Sequence, residues 1–366
     1  MKIAFLGSRG IPRCYSGFET FVEELSVRLV QRGHEVTVYN RIPFNKYRKK
    51  EFKGVRIICL PTIPTKTTDT IVHTTLSLLH ALFADYNICY FCGVGNSILS
   101  FIPKLIGTKT LVNVDGADHA RAKWSRFGSW WLKKSEKWAS SIADVIIADH
   151  PVIKKKYLDE YNINAQLIPY GAHLVEEDPG SDVLNKYGLR KRGYYLYVSR
   201  LTPENFADLA MKAHLKSEIS APLVVVGDAP YQTEYKKRLH ALVNQGKGKI
   251  LMTGYVFGNG YEQLSYHAKA FIYPTAIDAT RPVVLDQMGF GNGIIARDTE
   301  ANREVVGDAG EFFSPEDSIS SLASAIKKLE NSSDMVKALS MNAKNRVRDR
   351  YDWEKITDEY EKLFCA

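Results

Sequence analysis

The amino-acid sequence predicts an α/β protein built as two doubly wound parallel-sheet domains. Three observations lead there. Short apolar, β-branched runs alternate with segments of helix length, the pattern of parallel sheets covered on both faces. The runs fall into two series, parted at 170–182 by YGAHLVEEDPGSD, whose Gly, Pro and acidic residues read as a hinge. The length of 366 residues suits two domains.

In the first series the strand runs are 3–6, 35–39, 55–60, 88–92, 110–114, 144–148 and 166–169. After the first strand, Phe18, Val22, Leu25 and Leu29 form one apolar stripe at helical spacing. Arg28 and Arg32 are expected to complement that helix's dipole, and Gly33 to stop it. The second series has strand runs at 194–199, 223–226, 250–253, 271–274, 294–296 and 311–313. Residues 334–364 read as two helical segments broken around 350–353, the last crossing back to the first domain. The expected domains are therefore 1–170 with 351–366, and 171–350.

Composition narrows the function. With 45% hydrophobic and 25% charged residues, the chain is neither disordered nor collagen-like. No stretch reaches the roughly 18 apolar residues of a spanning helix; 70–83 and 94–106 are too short and too polar. The N-terminus reads as a first strand, not a secretory signal. Five cysteines make no disulfide framework. Cys89 and Cys92 form a CxxC without a second ligand pair and read as core thiols, in a reducing cytoplasm. Net charge is +8, with a balance of +10 over residues 1–170 and −2 over the rest. The front half thus suits an anionic partner or an anionic membrane surface, or is simply a solvated basic surface.

In open parallel sheets, ligands bind beyond the carboxyl ends of the strands. Four such edges carry candidate chemistry. GSRGIPRCYSGFET (7–20) places a glycine-rich loop, ending in Gly17, before a helix N-terminus, which suits a phosphate or a plain tight turn. It is neither GxGxxG nor a Walker loop. VNVDGADHARAKW (112–124) puts Asp115, and then His119, past a buried strand, suited to substrate contact or proton handling; Asp115 also suits a turn before Gly116. YVSRLTPEN (197–205) ends a strand in Arg200, whose fork of donors can hold a diphosphate or pair with Glu204. PTAIDATRPVVLDQMGFGNG (274–293) sets Asp278 on a loop before a helix expected at 281–288, with Asp286 inside it. Pro282 is tolerated in the first turn, and the amides of Val283 and Val284 would face an anion. Tyr255 and Val256, at another strand mouth, are candidates for a base pocket. RAKWSRFGSWWLKKSEKW (121–138) interleaves Arg121, Lys123, Arg126, Lys133 and Lys134 with Trp124, Trp130 and Trp131. That suits the interface of an anionic membrane, or a helix with Trp in the core and Lys in water.

Taken together, these residues resemble family-4 glycosyltransferases of the GT-B fold, two Rossmann-like domains facing a cleft. MKIAFLGSRGIP, YSGFETFVEELSVRLVQRGHEVTVYNR, AKWSRFGSWWLKKSEKWA, IPYGA, PLVVVGDAPY and DTEANREVVGDAG resemble a bacterial subgroup often labelled rhamnosyltransferases, which serves polysaccharide, O-antigen and lipopolysaccharide biosynthesis. The resemblance spans nearly the whole chain. The family's EX7E signature appears as Asp278 and Asp286, each one methylene shorter; by resemblance the first contacts the donor sugar and the second the ribose. Arg200 matches the arginine on the diphosphate. The lysine usual five residues on is Asn205 here, and Arg281 is a candidate replacement for its charge. Where the subgroup often reads GGTNPS, this chain has 278–283 DATRPV, including Thr280, and the second glycine of the N-terminal loop is Ser16.

The resemblance implies transfer of a sugar, with retention, from a dTDP- or UDP-linked donor such as rhamnose or an N-acetylhexosamine. The acceptor implied is a lipid-diphosphate-linked glycan at the inner face of the cell membrane. It implies no bound metal or other cofactor, and no nucleic-acid-binding module is recognisable. The catalytic set is Asp115, His119, Arg200 and Asp278. The donor set is Gly17, Arg200, Asn205, Tyr255, Val256, Thr280, Arg281, Val283, Val284 and Asp286. Two alternatives stay open: a nucleotide-sugar 2-epimerase of the same fold, and a sugar-nucleotide binder with weakened catalysis. A nicotinamide oxidoreductase lacks a GxGxxG and a suitable acidic residue after the second strand.

Overall fold

The computed structural model describes residues 1–12, 17–65, 68–114, 126–229, 232–276 and 280–366, with the backbone alone for 126–129. The chain divides into two compact units. The first comprises Met1–Tyr170 and Trp353–Ala366, joined by Thr280; the second comprises Gly171–Ile277 and Arg281–Asp352. The two crossing points of the chain are adjacent: Ala172 bridges to Asp352, and its N–H donates to the Tyr351 carbonyl at 2.7 Å.

In the first unit the strands are β1 (Lys2–Leu6), β2 (Glu35–Ile42), β3 (Glu51–Phe52), β4 (Val55–Pro61), β5 (Ile88–Cys92), β6 (Lys109–Val114), β7 (Val145–Ala148) and β8 (Gln166–Leu167). Their order is β3-β4-β2-β1-β5-β6-β7-β8. Every pairing is parallel except β3–β4. The helices are α1 (Gly17–Gln31), α2 (Asp69–Ala81), α3 (Phe101–Lys104), α4 (Arg126–Ile142) and α5 (Pro151–Tyr161). In the second unit α6 (Asp182–Tyr187) precedes β9 (Tyr195–Val198), α7 (Ala207–Ser217), β10 (Leu223–Val226), α8 (Thr233–Gln245), β11 (Ile250–Gly254), α9 (Asn259–Tyr266) and β12 (Ala270–Tyr273). Then follow α10 (Pro282–Gly289), β13 (Gly293–Arg297), α11 (Glu300–Val306), β14 (Gly310–Phe313), α12 (Ser318–Glu330) and α13 (Ser333–Arg346). The order β11-β10-β9-β12-β13-β14 is parallel throughout. The last helix, α14 (Trp353–Cys365), returns to the first unit.

The central strands are buried on both faces, which is why most read as near-continuous apolar runs, whereas β3, β4, β8, β11 and β14 toward the sheet edges are partly exposed. All five residues of β5 are buried. Along one face of the first sheet, Leu6, Cys89, Phe91, Val112, Val114 and Ile146 share a core. Burial pushes the Cys89 thiol up to about 12, so it stays protonated and acts as packing. In the second unit Tyr195, Tyr197, Leu223, Val225, Ile272, Ile295 and Phe313 do the corresponding work. The strand β3 was not legible as an apolar run. It pairs through a two-residue turn, Lys53 (φ 48) and Gly54 (φ 84), both left-handed as a tight hairpin demands.

The interaction of α14 with α1 changes the reading of Arg28 and Arg32. Arg28 lies in the last turn of α1 and pairs there with Glu24 at 2.6 Å, and both arginines also bind the acidic face of α14. Arg28 Nε lies 2.9 Å from Glu354, and Arg32 meets Glu354 at 2.7 Å, Asp358 at 2.6 Å and Glu361 at 2.7 Å. Beneath these ions, Phe21 packs its ring 5.5 Å from Tyr360 and 6.3 Å from Trp353, both buried. The buried aromatics carry most of the stability, since exposed ion pairs contribute little. Replacing Tyr360 by Ala should therefore cost about 3–5 kcal/mol in urea unfolding, against about 1 kcal/mol or less for Arg32→Ala. Arg32, helped by Arg28, holds the Glu354 carboxyl below its ordinary 4.5, and the hydrogen bond from His34, followed by that from Arg32, does the same at Glu361. The ionic part is thus complete above that pH and lost as pH falls through the depressed values. The stability difference between wild type and Arg32→Ala should shrink on acidification.

Candidate functional site

Each sheet has a place where successive connections diverge to opposite sides and open a crevice at the strand ends. In the first unit it lies between β1 and β5. In the second it lies between β9 and β12.

At the first crevice the loop after β1 is held by buried polar groups. Asn40 accepts the Ile11 N–H at 2.9 Å and donates to the Ile11 carbonyl at 2.7 Å. A Cβ on Gly10 (φ 94) would overlap that same side chain, so only glycine fits. Arg41, 2% exposed, donates to the Gly7 carbonyl (2.8 Å), Thr70 Oγ1 (2.8 Å) and Asp69 Oδ2 (2.9 Å). Burial lowers its pKa, and Asp69 opposes that. Arg41, near the end of β2, is thus a strut tying the loop after β1 to the start of α2, and it was missed because one arginine at a strand end carries no motif. Gly17 is the first residue of α1, and Glu19 in its first turn accepts the Arg9 N–H at 3.0 Å.

At the second crevice the loop after β9 meets the loop after β12. Arg200 is exposed just past β9 and, among the described residues, makes no ion pair with Glu204. Asn205 is buried. Its amide donates to the Arg200 carbonyl (2.8 Å) and Thr202 Oγ1 (3.0 Å), while its oxygen accepts from Arg281 at 2.8 Å. Arg281 caps α10, with Pro282 at its first position. The Val284 N–H donates to the Arg281 carbonyl at 3.1 Å. That amide is spent inside the turn, which narrows the expected helix-start contribution to Val283. Asp286 lies partly exposed within α10. Thr280 belongs with the first unit, its hydroxyl donating to the Asp149 carbonyl at 2.9 Å.

At the mouth of β11, Tyr255 is half exposed and donates to the Asp228 carbonyl at 3.0 Å, with Val256 beside it in sequence. Phe257, 77% exposed, stacks on Tyr255 with ring centroids 5.6 Å apart. An exposed aromatic beyond a strand was the available signal for it. The Asp228 carboxyl is held below its usual range by Lys236 and by the Ala229 N–H. Gly227 (φ 134) lets β10 pass Ser199, whose carbonyl a Cβ would strike.

Asp115, His119, Arg121, Lys123, Trp124 and Asp278 lie outside the described residues, as does the side chain of Arg126. On α4, Trp130, Lys133, Lys134 and Lys137 are exposed on one helical stripe. Trp131 is half buried, donating to the Gly95 carbonyl at 3.3 Å, with its ring edge-on to Trp138 at 5.6 Å. The Trp residues are thus divided between packing and surface.

The fold and these crevices define the GT-B class, two Rossmann-like α/β domains. Residues 192–332 match the family described as Glycosyl transferases group 1, and residues 1–173 match Domain of unknown function (DUF1972). Among curated proteins, the O-antigen chain mannosyltransferase B of Escherichia coli is 27% identical over 157 residues, 41% of this chain. The match spans 40% of that protein, less than half its length. Among solved structures, the sucrose-phosphate synthase of Thermosynechococcus elongatus superposes with a TM-score of 0.80 at 19% identity, covering 99% of this chain and 98% of that one. The Anabaena protein HepE, in complex with UDP and glucose, gives 0.80 at 16% identity over 100% and 99%. At these identities the structural likeness establishes the fold. The family match on the second unit joins it in supporting a GT-B glycosyltransferase.

Because a backbone carbonyl cannot swing aside as a side chain can, Gly227→Ala should force β9 and β10 apart. We expect it to lower the melting temperature and, in hydrogen exchange, to weaken protection at β9 and β10 more than at β13 and β14.

Proposed function

We propose that this protein is a retaining glycosyltransferase that moves a sugar from a nucleoside-diphosphate donor to a lipid-linked glycan acceptor in surface-polysaccharide or O-antigen assembly. The observation that carries the reading is the second crevice, where Arg200 and Arg281 bracket Asn205 at the ends of β9 and β12. A departing diphosphate gains negative charge in the transition state, and preorganised guanidinium groups stabilise that charge. In this reading Arg200, Arg281 and the Val283 amide hold the diphosphate. Asp278 faces the donor sugar, Asp286 the ribose, and Tyr255 with Val256 the base. Asp115, His119 and the Gly17 loop line the acceptor side. The leaving phosphate takes the acceptor proton, and no resident metal is invoked.

Support for the substrate class comes from relatives. One is named an O-antigen chain mannosyltransferase, and another was crystallised with UDP and glucose. Rhamnose and other hexoses remain within the proposal, with UDP or dTDP as carrier. Among the described residues no helix is long and apolar enough to cross a membrane. The Trp130, Lys133, Lys134 and Lys137 stripe, together with the balance of +10 over residues 1–170, supports peripheral binding to the anionic inner face of the cell membrane.

A thermal-shift series with UDP, dTDP and GDP should show one clear stabiliser. Its radiolabelled sugar should then pass to a lipid extract, and Arg200→Ala should lower that transfer about 10²–10³-fold. Sugar isomerised or released without any acceptor product would instead indicate a 2-epimerase. Flotation with anionic liposomes tests the surface: recovery that falls with added salt and on Lys133→Glu/Lys134→Glu supports it, and salt-independent absence from the vesicle fraction counts against it.

A further inference from the structure

The Asn205 amide has one orientation that satisfies its neighbours. The Arg200 carbonyl requires a donor, so the NH₂ group faces it; a flipped amide would press that NH₂ against the Arg281 guanidinium. The main chain of Asn205 is fixed as well, since Tyr197 donates its hydroxyl to the Asn205 carbonyl at 2.8 Å. Arg281 therefore meets an acceptor that is buried, aimed and uncharged. This differs from Arg41 and Arg32, though Arg192, too, meets only a carbonyl and an amide oxygen among the described residues. Arg41 gives its charge to Asp69, and Arg32 to three carboxylates. Among the described residues Arg281 has no carboxylate partner and uses one N–H on a neutral amide. Among those residues no carboxylate neutralises its charge at the ends of β9 and β12. That charge opposes the effect of burial on the Tyr273 phenol, which is nonetheless pushed up to about 12.

We propose that Asn205 is a positioning residue: it holds the Arg281 guanidinium at the β9–β12 crevice so that Arg281 acts, beside Arg200, as the second cation for the donor diphosphate. The inference rests on the reading above and adds the division of labour within it. A neutral amide suits the task because it orients the fork without cancelling its charge. An aspartate of the same shape would neutralise it, and would also set an acceptor against the Arg200 carbonyl.

The test is calorimetric titration of wild type, Arg200→Ala, Arg281→Ala, Asn205→Ala, Asn205→Asp and the double variant Arg281→Ala/Asn205→Ala. The probes are UDP, dTDP, GDP and ADP, each with its monophosphate. Wild type should prefer one diphosphate over its monophosphate. Arg281→Ala and Asn205→Asp should each reduce that preference about tenfold or more, the loss of a charge-assisted contact. The double variant should be no weaker than Arg281→Ala, because Asn205 acts through Arg281. Circular dichroism and melting temperature accompany each variant; should Asn205→Ala fail to fold, Asn205→Asp and Arg281→Ala decide. An undiminished preference in Arg281→Ala, or additive losses in the double variant, overturns the inference. If Arg200→Ala alone loses the diphosphate, this inference falls and the glycosyltransferase reading stands. If wild type binds none of the eight nucleotides, both fall.

Discussion

A parallel sheet covered by helices on both faces can present polar chemistry to a ligand only at its strand ends. That constraint organises this protein. The central strands are largely apolar because both faces are packed, and most residues able to do chemistry are displaced to the strand ends and the connections that follow them. Where consecutive connections leave in opposite directions, the loops part and a crevice remains. Between β9 and β12 that crevice receives Arg200, Asn205 and Arg281. Between β1 and β5 it receives the glycine-rich loop and the Arg41 strut.

The two crevices handle positive charge differently. A buried guanidinium is costly unless its donors and its charge are matched. Arg41 has its charge matched by Asp69 and its two terminal nitrogens met by carbonyls, a hydroxyl and that carboxylate, with only Nε unpartnered among the described residues, and its work is structural. Arg32 is matched by three acids and holds a helix. Among the described residues Arg281 is matched in geometry and has no carboxylate against its charge, the electrostatic condition for a site that receives an anion. Its partner Asn205 is buried and neutral, so orientation is obtained without neutralisation.

The C-terminal helix shows the same economy applied to assembly. The chain enters the second unit after Tyr170, leaves it after Asp352, and ends on α1. Aromatic burial by Trp353 and Tyr360 supplies the adhesion, while the acidic face of α14 meeting Arg28, Arg32 and His34 sets its register. Helix and site are thereby separate pieces of engineering: one depends on apolar area, the other on charge kept in place.

The sequence by itself determined the α/β class, the two strand series and the edges where chemistry would lie. All of these follow from local signals: apolar runs, helical stripes, and glycine or proline at the turns. It also singled out Arg200, Asn205 and Arg281 as residues, since each sits beside a strand end or a helix start. Tertiary structure decided what they do to one another. Asn205 and Arg281 are 76 positions apart, and only the placement of β9 beside β12 brings an amide oxygen to a guanidinium. The roles of Arg32 with α14 and of Arg41 with Asp69 were hidden for the same reason. A side chain's charge and size are written in its own position, but its partner depends on the path of the rest of the chain. The short β3 marks the local limit: two residues are too few to show a period, and only pairing with β4 makes them a strand.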